Sequence, residues 1–274
     1  MPASIRRIVV CCVAVIMSSA CGRDPLPLGF GMPILRFETS ESYGAGKGFV
    51  GLALGGTPRA VMVNDAGTEP PDTSRRVGAG RVNTYSAGVG VLNRLDVSIA
   101  HSAGHGPEGP TPLMVRTKFQ LIGAPAKSAK EGANSLALMA GAGKVAFDRT
   151  ASVTFEELTN QGLPTARGGT VTSHAEATPV QAAVVGGHRI TDRALFYGSL
   201  AYTEYRFNWA FDQTSNRGLR HFEEAGRIGQ VSAGAGMQYA RRAMFVRAEA
   251  AMSLEAFGPN RHGMSAGVQT GLKW

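Results

Sequence analysis

The stretch that decides the fold is YSAGVGVLNRLDVSIAHS, residues 85–102. Apolar side chains recur at every second position on both sides of a polar centre, Asn93-Arg94. Successive side chains of a β-strand point to opposite faces, so a period of two indicates a strand, and two such runs joined by about two turn residues predict an antiparallel hairpin. The apolar positions are Tyr85, Ala87, Val89 and Val91 in the first run and Leu95, Val97 and Ile99 in the second.

The same unit recurs to the last residue of the chain and gives ten strands. The connections after the first, fifth and seventh strands are long and polar (residues 57–80, 149–175 and 212–225), whereas those after the second, sixth and eighth are short. Membrane-spanning barrels have an even strand number, short periplasmic turns and longer external loops, and their strands need about 9–11 residues to cross. We therefore predict an all-β fold, an antiparallel up-and-down transmembrane β-barrel of about ten strands, over residues 44–274.

The composition agrees with a barrel in lipid. Charged residues make up 18% of the 274-residue chain, hydrophobic residues 43%, and glycine occurs 36 times. A soluble periplasmic β-sandwich would show similar alternation but would place charge on its water face, whereas here the face opposite the apolar one carries mostly Gly, Ala, Ser and Gln. The net charge of +8 is spread along the chain, with no Lys/Arg cluster interleaved with aromatic residues. No nucleic-acid partner is therefore predicted.

The first twenty residues have the features of an export signal. Arg6 and Arg7 precede a ten-residue apolar run at residues 8–17, which is too short to span a bilayer, for which about 20 residues are needed. Small residues follow and end at Ala20, so residues 1–20 are predicted to be a signal peptide. The tetrapeptide at residues 18–21 resembles the lipobox of bacterial lipoproteins, although serine stands where leucine is commonest.

The residue after this predicted cleavage point, Cys21, has two interpretations. In one, it becomes the lipidated first residue of the mature chain. In the other, ordinary signal peptidase cleaves before it and it remains a free thiol. Cys11 and Cys12 lie in the segment that would be removed, so the mature chain has one cysteine and no internal disulfide. An unpaired thiol is usually avoided in an oxidising compartment, which favours lipidation.

The residues between the predicted signal and the barrel, 21–43, contain three prolines and are predicted to be a periplasmic tether. An even strand number places both ends of a barrel in the periplasm. A lipid on Cys21 is then expected in the inner leaflet of the outer membrane.

Charged and amide side chains on the face opposite the apolar one are predicted to line the lumen. Ten strands enclose a space between that of a filled eight-stranded barrel and that of an open sixteen-stranded porin. Two interpretations remain: the ions pair across a mostly plugged lumen, or they line a thin polar path for a small solute. The lumen-lining residues are predicted to be Asp96, Arg116, Lys118, Gln120, Arg247 and Glu249.

The sequence predicts no catalytic residues, metal site or cofactor. His101 and Ser102 are the residue types of a nucleophile and its base, but neighbours in a strand point to opposite faces. The histidines at 174, 188, 221 and 262 are isolated from any carboxylate spacing typical of a metal site.

Three segments resemble a known group. GVGVLNRLDVSIAHS, LMVRTKFQLIG and AKSAKEGANSLALMAGAG are similar in order and spacing to segments of proteobacterial outer-membrane β-barrel proteins. The terminal Trp274, after alternating apolar residues, resembles the C-terminal signal read by the barrel-assembly machinery, where phenylalanine is usual. The resemblance implies a location in the bacterial outer membrane, membrane lipid as the surroundings and the barrel-assembly machinery as a partner during biogenesis.

Fold analogy does not decide function, and the group includes pores, transporters and uncharacterised members. We expect a non-enzymatic barrel, with a narrow channel or transporter for small solutes as the specific hypothesis. The alternatives are a closed structural or adhesion barrel that acts through its external loops, and an outer-membrane lipid hydrolase or acyltransferase.

Overall fold

The computed structural model describes residues 27–31, 36–65, 72–104, 113–158, 164–215, 218–255 and 264–274. They form one antiparallel sheet. Its strands are β1 (Pro27–Gly31), β2 (Gly48–Asp65), β3 (Asp72–Leu92), β4 (Leu95–Gly104), β5 (Leu113–Ile122), β6 (Asn134–Leu158), β7 (Pro164–Thr191), β8 (Ala194–Ser215), β9 (Gly218–Arg241), β10 (Met244–Glu255) and β11 (Met264–Lys273).

Ten of these strands, β2 to β11, close into a barrel. Each strand pairs with the next along the chain, and β11 returns to pair with β2 from Gly267 opposite Gly55 to Lys273 opposite Phe49. Tight turns join β3 to β4, β7 to β8 and β9 to β10 at one end, which is therefore the periplasmic end. The predicted fold class, an antiparallel barrel of about ten strands, is confirmed.

The outer surface of the barrel is apolar and the inner surface is polar. On β5, every second residue is exposed while its neighbours are buried: Phe119 is 48% exposed, and Lys118 beside it is 3% exposed. Leu200 on β8 and Leu272 on β11 are likewise more than half exposed. Water would not stabilise such a surface, whereas lipid does, so we name this outward apolar surface the lipid-facing belt. Among the described residues, no helix is long and apolar enough to cross a membrane.

Several strands continue far beyond the belt, which corrects the predicted loops. Residues 57–80, 149–175 and 212–225 were expected to be loops, but β2 runs to Asp65 and β3 begins at Asp72. Strands β6 to β9 have 22 to 28 residues each. Crossing takes only about 9–11. The upper parts of β6 to β9 remain paired as a four-stranded sheet outside the membrane, which we name the external sheet. The sequences of these upper parts are rich in Thr, Gly and charged residues, which is why they were assigned to loops.

The chain enters the barrel from the external end. Strand β1 pairs antiparallel with β2, with Pro27 opposite Val63 and Gly31 opposite Arg59, above the part of β2 that pairs with β11. Residues 36–44 then lie inside the lumen and lead to the start of β2 at the periplasmic end. We name residues 36–44 the inner segment.

The tether prediction is therefore wrong for residues 36–43, because their polar side chains and amides bond the barrel wall instead of periplasmic water. The described part of the barrel unit thus begins before residue 44. The predicted signal peptide and Cys21 lie outside the described residues.

The inner segment leaves the lumen through a glycine turn. Gly44 and Gly46 have positive φ angles of 87° and 70°, which glycine adopts without the strain of a side chain. Gly90 on β3 faces this turn so closely that a Cβ there would lie 2.1 Å from the carbonyl oxygen of Gly44. The backbone amide of Gly46 donates to the carbonyl of Gly90 at 2.9 Å. The exit is thus fixed to the wall by backbone contacts.

The path of the inner segment predicts a cross-link. The hydroxyl oxygens of Ser40 and Ser135 on β6 are 2.6 Å apart, so cysteines at both positions are within reach of a disulfide. We expect Ser40→Cys with Ser135→Cys to oxidise to one intramolecular link in membranes, identified by peptide mapping with mass spectrometry.

The matched control is Ser40→Cys with Leu136→Cys, which moves one thiol to the neighbouring residue on the outward side. This pair should not link. Equal linking in both variants, or none in either, would contradict the placement of the inner segment.

Candidate functional site in the lumen

All six residues predicted to line the lumen are buried inside the barrel. Their exposure runs from 0% for Gln120 to 6% for Arg116. All six contact the inner segment directly, so the space they surround is occupied by the chain itself. The six are Asp96, Arg116, Lys118, Gln120, Arg247 and Glu249.

Arg247 on β10 is the most heavily bonded of these residues. Its Nη1 donates to the carbonyl of Phe37 at 2.5 Å and to Gln269 Oε1 at 3.0 Å, and its Nε donates to Gln238 Oε1 at 2.7 Å. Its Nη2 donates to the Tyr43 hydroxyl at 3.0 Å. Arg247 thereby ties strands β9, β10 and β11 to two points of the inner segment.

Two aromatic rings lie against the Arg247 guanidinium. Its central carbon is 4.5 Å from the ring centre of Phe245 and 5.3 Å from that of Phe49. Tyr43 stacks on Phe49 with ring centres 4.9 Å apart. A desolvated cation over aromatic faces gains about 2 kcal/mol or more. The periplasmic half of the lumen is thus closed by an aromatic cluster around one cation.

Glu249, two residues from Arg247 on the same face of β10, holds the other end of the inner segment. Its carboxylate accepts the backbone N–H of Arg36 at 2.9 Å and that of Phe37 at 2.7 Å, and the Tyr197 hydroxyl donates to it at 3.1 Å. A buried carboxylate needs several donors to offset the loss of water. Glu249 therefore fixes the backbone of the inner segment at Arg36 and Phe37.

Lys118 on β5 joins two carboxylates. Its ammonium lies 3.1 Å from Asp96 on β4 and 3.9 Å from Glu38 of the inner segment, and it donates to the carbonyl of Glu41 at 2.9 Å. Asp96 in turn accepts the backbone N–H of Tyr43 at 3.2 Å. Asp96 and Lys118 are directly opposite each other on the paired strands β4 and β5, and together they fix the inner segment to this part of the wall.

Four charged residues of this network were missed by sequence analysis: Arg36, Glu38, Glu41 and Arg189. Arg189 Nε donates to Glu41 Oε1 at 2.9 Å, and its Nη2 bonds the second carboxylate oxygen. A signal for Arg189 existed, because it shares strand parity with the buried Gln181 and Val185 on β7. No strand parity marks the two glutamates, since they lie in a segment without regular structure.

The charges of the wall and of the inner segment complement each other. Among the described side chains, the buried charges of the wall are four cations (Arg116, Lys118, Arg189, Arg247) and two carboxylates (Asp96, Glu249). The inner segment supplies one cation, Arg36, and two carboxylates, Glu38 and Glu41. The negative balance of the segment therefore offsets part of the positive balance of the wall.

The buried positive charges are least completely paired toward the external end of the inner segment. Arg116 Nη1 donates to the carbonyl of Arg36 at 3.4 Å, and Arg36 Nη2 donates to Ser232 at 2.5 Å. Arg36 Nε and Nη1 and Arg116 Nε are buried donors with no acceptor. Buried N–H groups without acceptors are costly, so this end is held less firmly than the end at Tyr43.

Two histidines of the external sheet each contact two carboxylates. His174 Nδ1 lies 2.5 Å from Asp148 across the β6–β7 pair, and its Nε2 is 3.7 Å from Glu176. On the β8–β9 pair, His221 contacts Asp212 at 2.7 Å and Glu223 at 3.1 Å. The hydrogen bond with Asp148 raises the pKa of His174, and those with Asp212 and Glu223 raise the pKa of His221.

The Arg247 contacts predict a large loss of stability on truncation. Arg247→Ala leaves Gln238, Gln269 and the carbonyl of Phe37 without their donor. We expect a decrease of about 3–5 kcal/mol in the free energy of unfolding, the range for breaking a buried ionic group. Equilibrium unfolding in detergent with urea measures it.

Arg193→Ala, at an exposed periplasmic turn, is the control and should change the free energy of unfolding by less than about 0.5 kcal/mol. A loss for Arg247→Ala no larger than this would refute the network.

The histidine contacts predict that the stability of the external sheet depends on pH. A pKa raised by folding means that the protonated histidine is stabilised. This contribution is complete below the ordinary pKa of about 6.5 and is lost as the pH rises through the folded value. Asp148→Asn should lower the pKa of His174 and leave that of His221 raised, as followed by NMR titration. A His174 pKa unaffected by Asp148→Asn would contradict the assigned contact.

No protein-family model and no curated protein sequence matches the chain. Solved barrels resemble it at low similarity. The attachment invasion locus protein Ail of Yersinia pestis is 11% identical with a TM-score of 0.34, over 84% of this chain and 99% of Ail. An outer membrane channel from Pseudomonas putida F1 is 9% identical with a TM-score of 0.36, over 88% of this chain and all of the channel.

The translocator domain of the autotransporter NalP from Neisseria meningitidis is 11% identical with a TM-score of 0.43, over 84% of this chain and 88% of that domain. Similarity at this level assigns no activity. The location follows from the molecule itself. A closed barrel whose outer surface is apolar satisfies all its ladder bonds in lipid. The protein is a β-barrel of the bacterial outer membrane.

Proposed function

We propose that the protein is a closed, non-enzymatic outer-membrane barrel that acts through its external sheet and does not conduct solutes in its resting state. The observation that carries this proposal is the filled lumen: residues 36–43 are each 0–9% exposed inside the barrel. The lumen of a ten-stranded barrel has room for side chains and one polypeptide segment, and here the inner segment fills it.

The narrow-channel hypothesis requires the inner segment to move. Displacement separates Glu41 from Arg189, Glu38 from Lys118 and Tyr43 from Arg247. Each buried charge left without its partner costs about 3–5 kcal/mol, so an open state is rare unless a ligand or partner stabilises it. The wall cations Lys118, Arg189 and Arg247 thus hold the inner segment.

The external sheet gives the closed barrel a surface with which to act. Strand β7 has 28 residues, or about 90 Å of extended chain, of which the membrane needs only about a third. Paired strands of this length present a broad surface outside the membrane. This supports adhesion or partner binding, which depend on external structure and need no open lumen.

The hydrolase alternative has little support in the described part of the chain. His101 is exposed on the outward side of β4, beside Leu113 and Tyr85 of the neighbouring strands, within the lipid-facing belt. A general base needs a nucleophile within hydrogen-bonding distance, and no such partner of His101 occurs among the described residues.

Lipidation of Cys21 remains part of the proposal, with a changed location. Cys21 precedes Pro27 by six residues, which span at most about 20 Å. Because β1 lies at the external end, a lipid on Cys21 would enter the outer leaflet. We expect the intact mass of the mature protein to equal a chain that begins at Cys21 plus acyl groups. A mass without acyl groups would exclude lipidation.

Planar-bilayer conductance tests the closed lumen. The folded wild-type protein should give no steady conductance. Glu38→Lys with Glu41→Lys places like charges beside Lys118 and Arg189, so it should expel the inner segment without altering any strand. Once the inner segment has left the lumen, the wall has more cations than carboxylates. The variant should therefore conduct with a preference for anions.

The matched control is Lys127→Glu with Lys130→Glu, two charge reversals at exposed sites between β5 and β6, which should stay silent. Steady conductance by the wild type would favour the channel over the closed barrel. A silent Glu38/Glu41 variant that is correctly folded would show that the inner segment is not what closes the lumen.

A further inference from the structure

A polar groove lies on the outer surface just above the lipid-facing belt. It has a volume of about 390 Å³ and is formed by the outward faces of β7, β8 and β9. On β8, Arg206 follows the belt residue Tyr202 by four positions, which places it about 10 Å higher once the strand tilt is included. A crossing of about 9–11 residues that starts at Ala194 ends near Glu204, so we place Arg206 at the level of the outer-leaflet headgroups. Its polar lining consists of Glu176, Thr178, Arg206, Asn208 and Arg227.

Two arginines face each other in this groove. Arg206 on β8 is directly opposite Arg227 on β9, and both are exposed. Like charges directly opposite each other in a sheet are destabilising. Glu204 offsets one of them: it accepts from Arg206 Nε at 2.8 Å and also lies near Arg227. Among the described residues, Glu204 is the carboxylate shared by the two guanidinium groups, so one positive charge of the pair is left without a carboxylate of its own.

The carboxylate of Glu176, which also lines the groove, already has two partners on β6 and β7. Glu176 lies 3.6 Å from Lys144 and 3.7 Å from His174, on the side away from the arginines. The positive part of the groove is therefore the Arg206–Arg227 pair, with Glu204 as its neighbouring carboxylate among the described residues. The remaining polar lining, Thr178 and Asn208, supplies a neutral hydroxyl and an amide. These groups are suited to the oxygens of a phosphate, and the guanidinium fork matches them in pairs.

An apolar groove lies lower on the same side of the barrel. It measures about 530 Å³, its floor includes Ala140 and Ala182, and Leu200, Tyr202 and Val231 form its wall toward β8 and β9. Tyr202 and Val231 are on the two strands that carry Arg206 and Arg227. A headgroup-level cationic groove and a membrane-level apolar groove therefore share β7, β8 and β9.

We infer that this face binds one phosphorylated lipid of the outer leaflet, with its phosphate between Arg206 and Arg227 and an acyl chain over Ala140 and Ala182. Neither groove alone would choose a lipid over a free anion or an unspecific acyl chain. The two together fit an amphiphile whose charged head lies above its chains. The inference is independent of whether the lumen conducts.

Native mass spectrometry of the delipidated full-length mature barrel in detergent tests the inference. The probes are an acylated diglucosamine lipid with one phosphate, the same lipid without phosphate, and inorganic phosphate. We expect one phosphorylated lipid per barrel and weak retention of the phosphate-free lipid. Arg206→Ala with Arg227→Ala should weaken binding about tenfold or more, as expected for the loss of charge-assisted bonds.

Ala182→Trp fills the apolar groove and should also weaken binding of the phosphorylated lipid. The matched control is Arg193→Ala with Arg241→Ala, an exposed arginine pair at the periplasmic end, which should leave binding unchanged. A heat-modifiable gel shift confirms that each variant is folded.

Equal affinity for the two lipids, or binding insensitive to the Arg206/Arg227 change, would overturn the inference. If the Arg193/Arg241 variant weakened lipid binding equally, the effect would come from the net charge of the protein, and the inference would be wrong. Displacement of the lipid by millimolar inorganic phosphate would show a free-anion site instead.

Discussion

The structure depends on one constraint: charges that face the inside of a narrow barrel must find partners, because little water is present to solvate them. The wall of this barrel carries an excess of cations, and its closure would bury them without compensation. The inner segment supplies Glu38 and Glu41, its backbone amides and the hydroxyl of Tyr43. It is therefore part of the core of the barrel and not an appendage to it.

This arrangement connects the interior of the barrel to its surface. The same chain that fills the lumen emerges at the external end and adds β1 to the edge of β2, where β11 has ended. The external sheet stands on the opposite part of the rim, on β6 to β9. A closed interior and an extended exterior favour a protein that presents a surface, while the lipid-facing belt holds that surface at a fixed height.

The sequence predicted the parts of the fold in which lipid contact imposes a pattern. Alternation in residues such as those of Leu113–Ile122 located the belt, and parity then placed Arg116, Lys118, Arg247 and Glu249 on the inner side. Above the belt no lipid contact requires an apolar outer face, so polar and charged residues become frequent although the strand continues. For this reason residues 149–158 and 212–215, which belong to β6 and β8, were predicted to be loops.

The inner segment could not be predicted for a different reason. Its side chains are polar and its backbone is irregular, which is also the composition of an exposed tether. What makes it part of the core is the set of partners on distant strands, such as Arg189 for Glu41 and Arg247 for Tyr43, at separations of 148 and 204 residues. Such pairings are properties of the closed barrel, and no local pattern records them.

Amide hydrogen exchange of the wild-type protein tests this central claim most directly, since it needs no substitution. The amides of Arg36 and Phe37 donate to Glu249, that of Ser42 to Gln120 and that of Tyr43 to Asp96, all inside the barrel. Peptides that cover residues 36–44 should therefore exchange as slowly as those from the barrel strands. Complete exchange of these peptides within seconds, while the strands stay protected, would contradict the account. It would indicate that residues 36–44 lie in periplasmic water instead of the lumen.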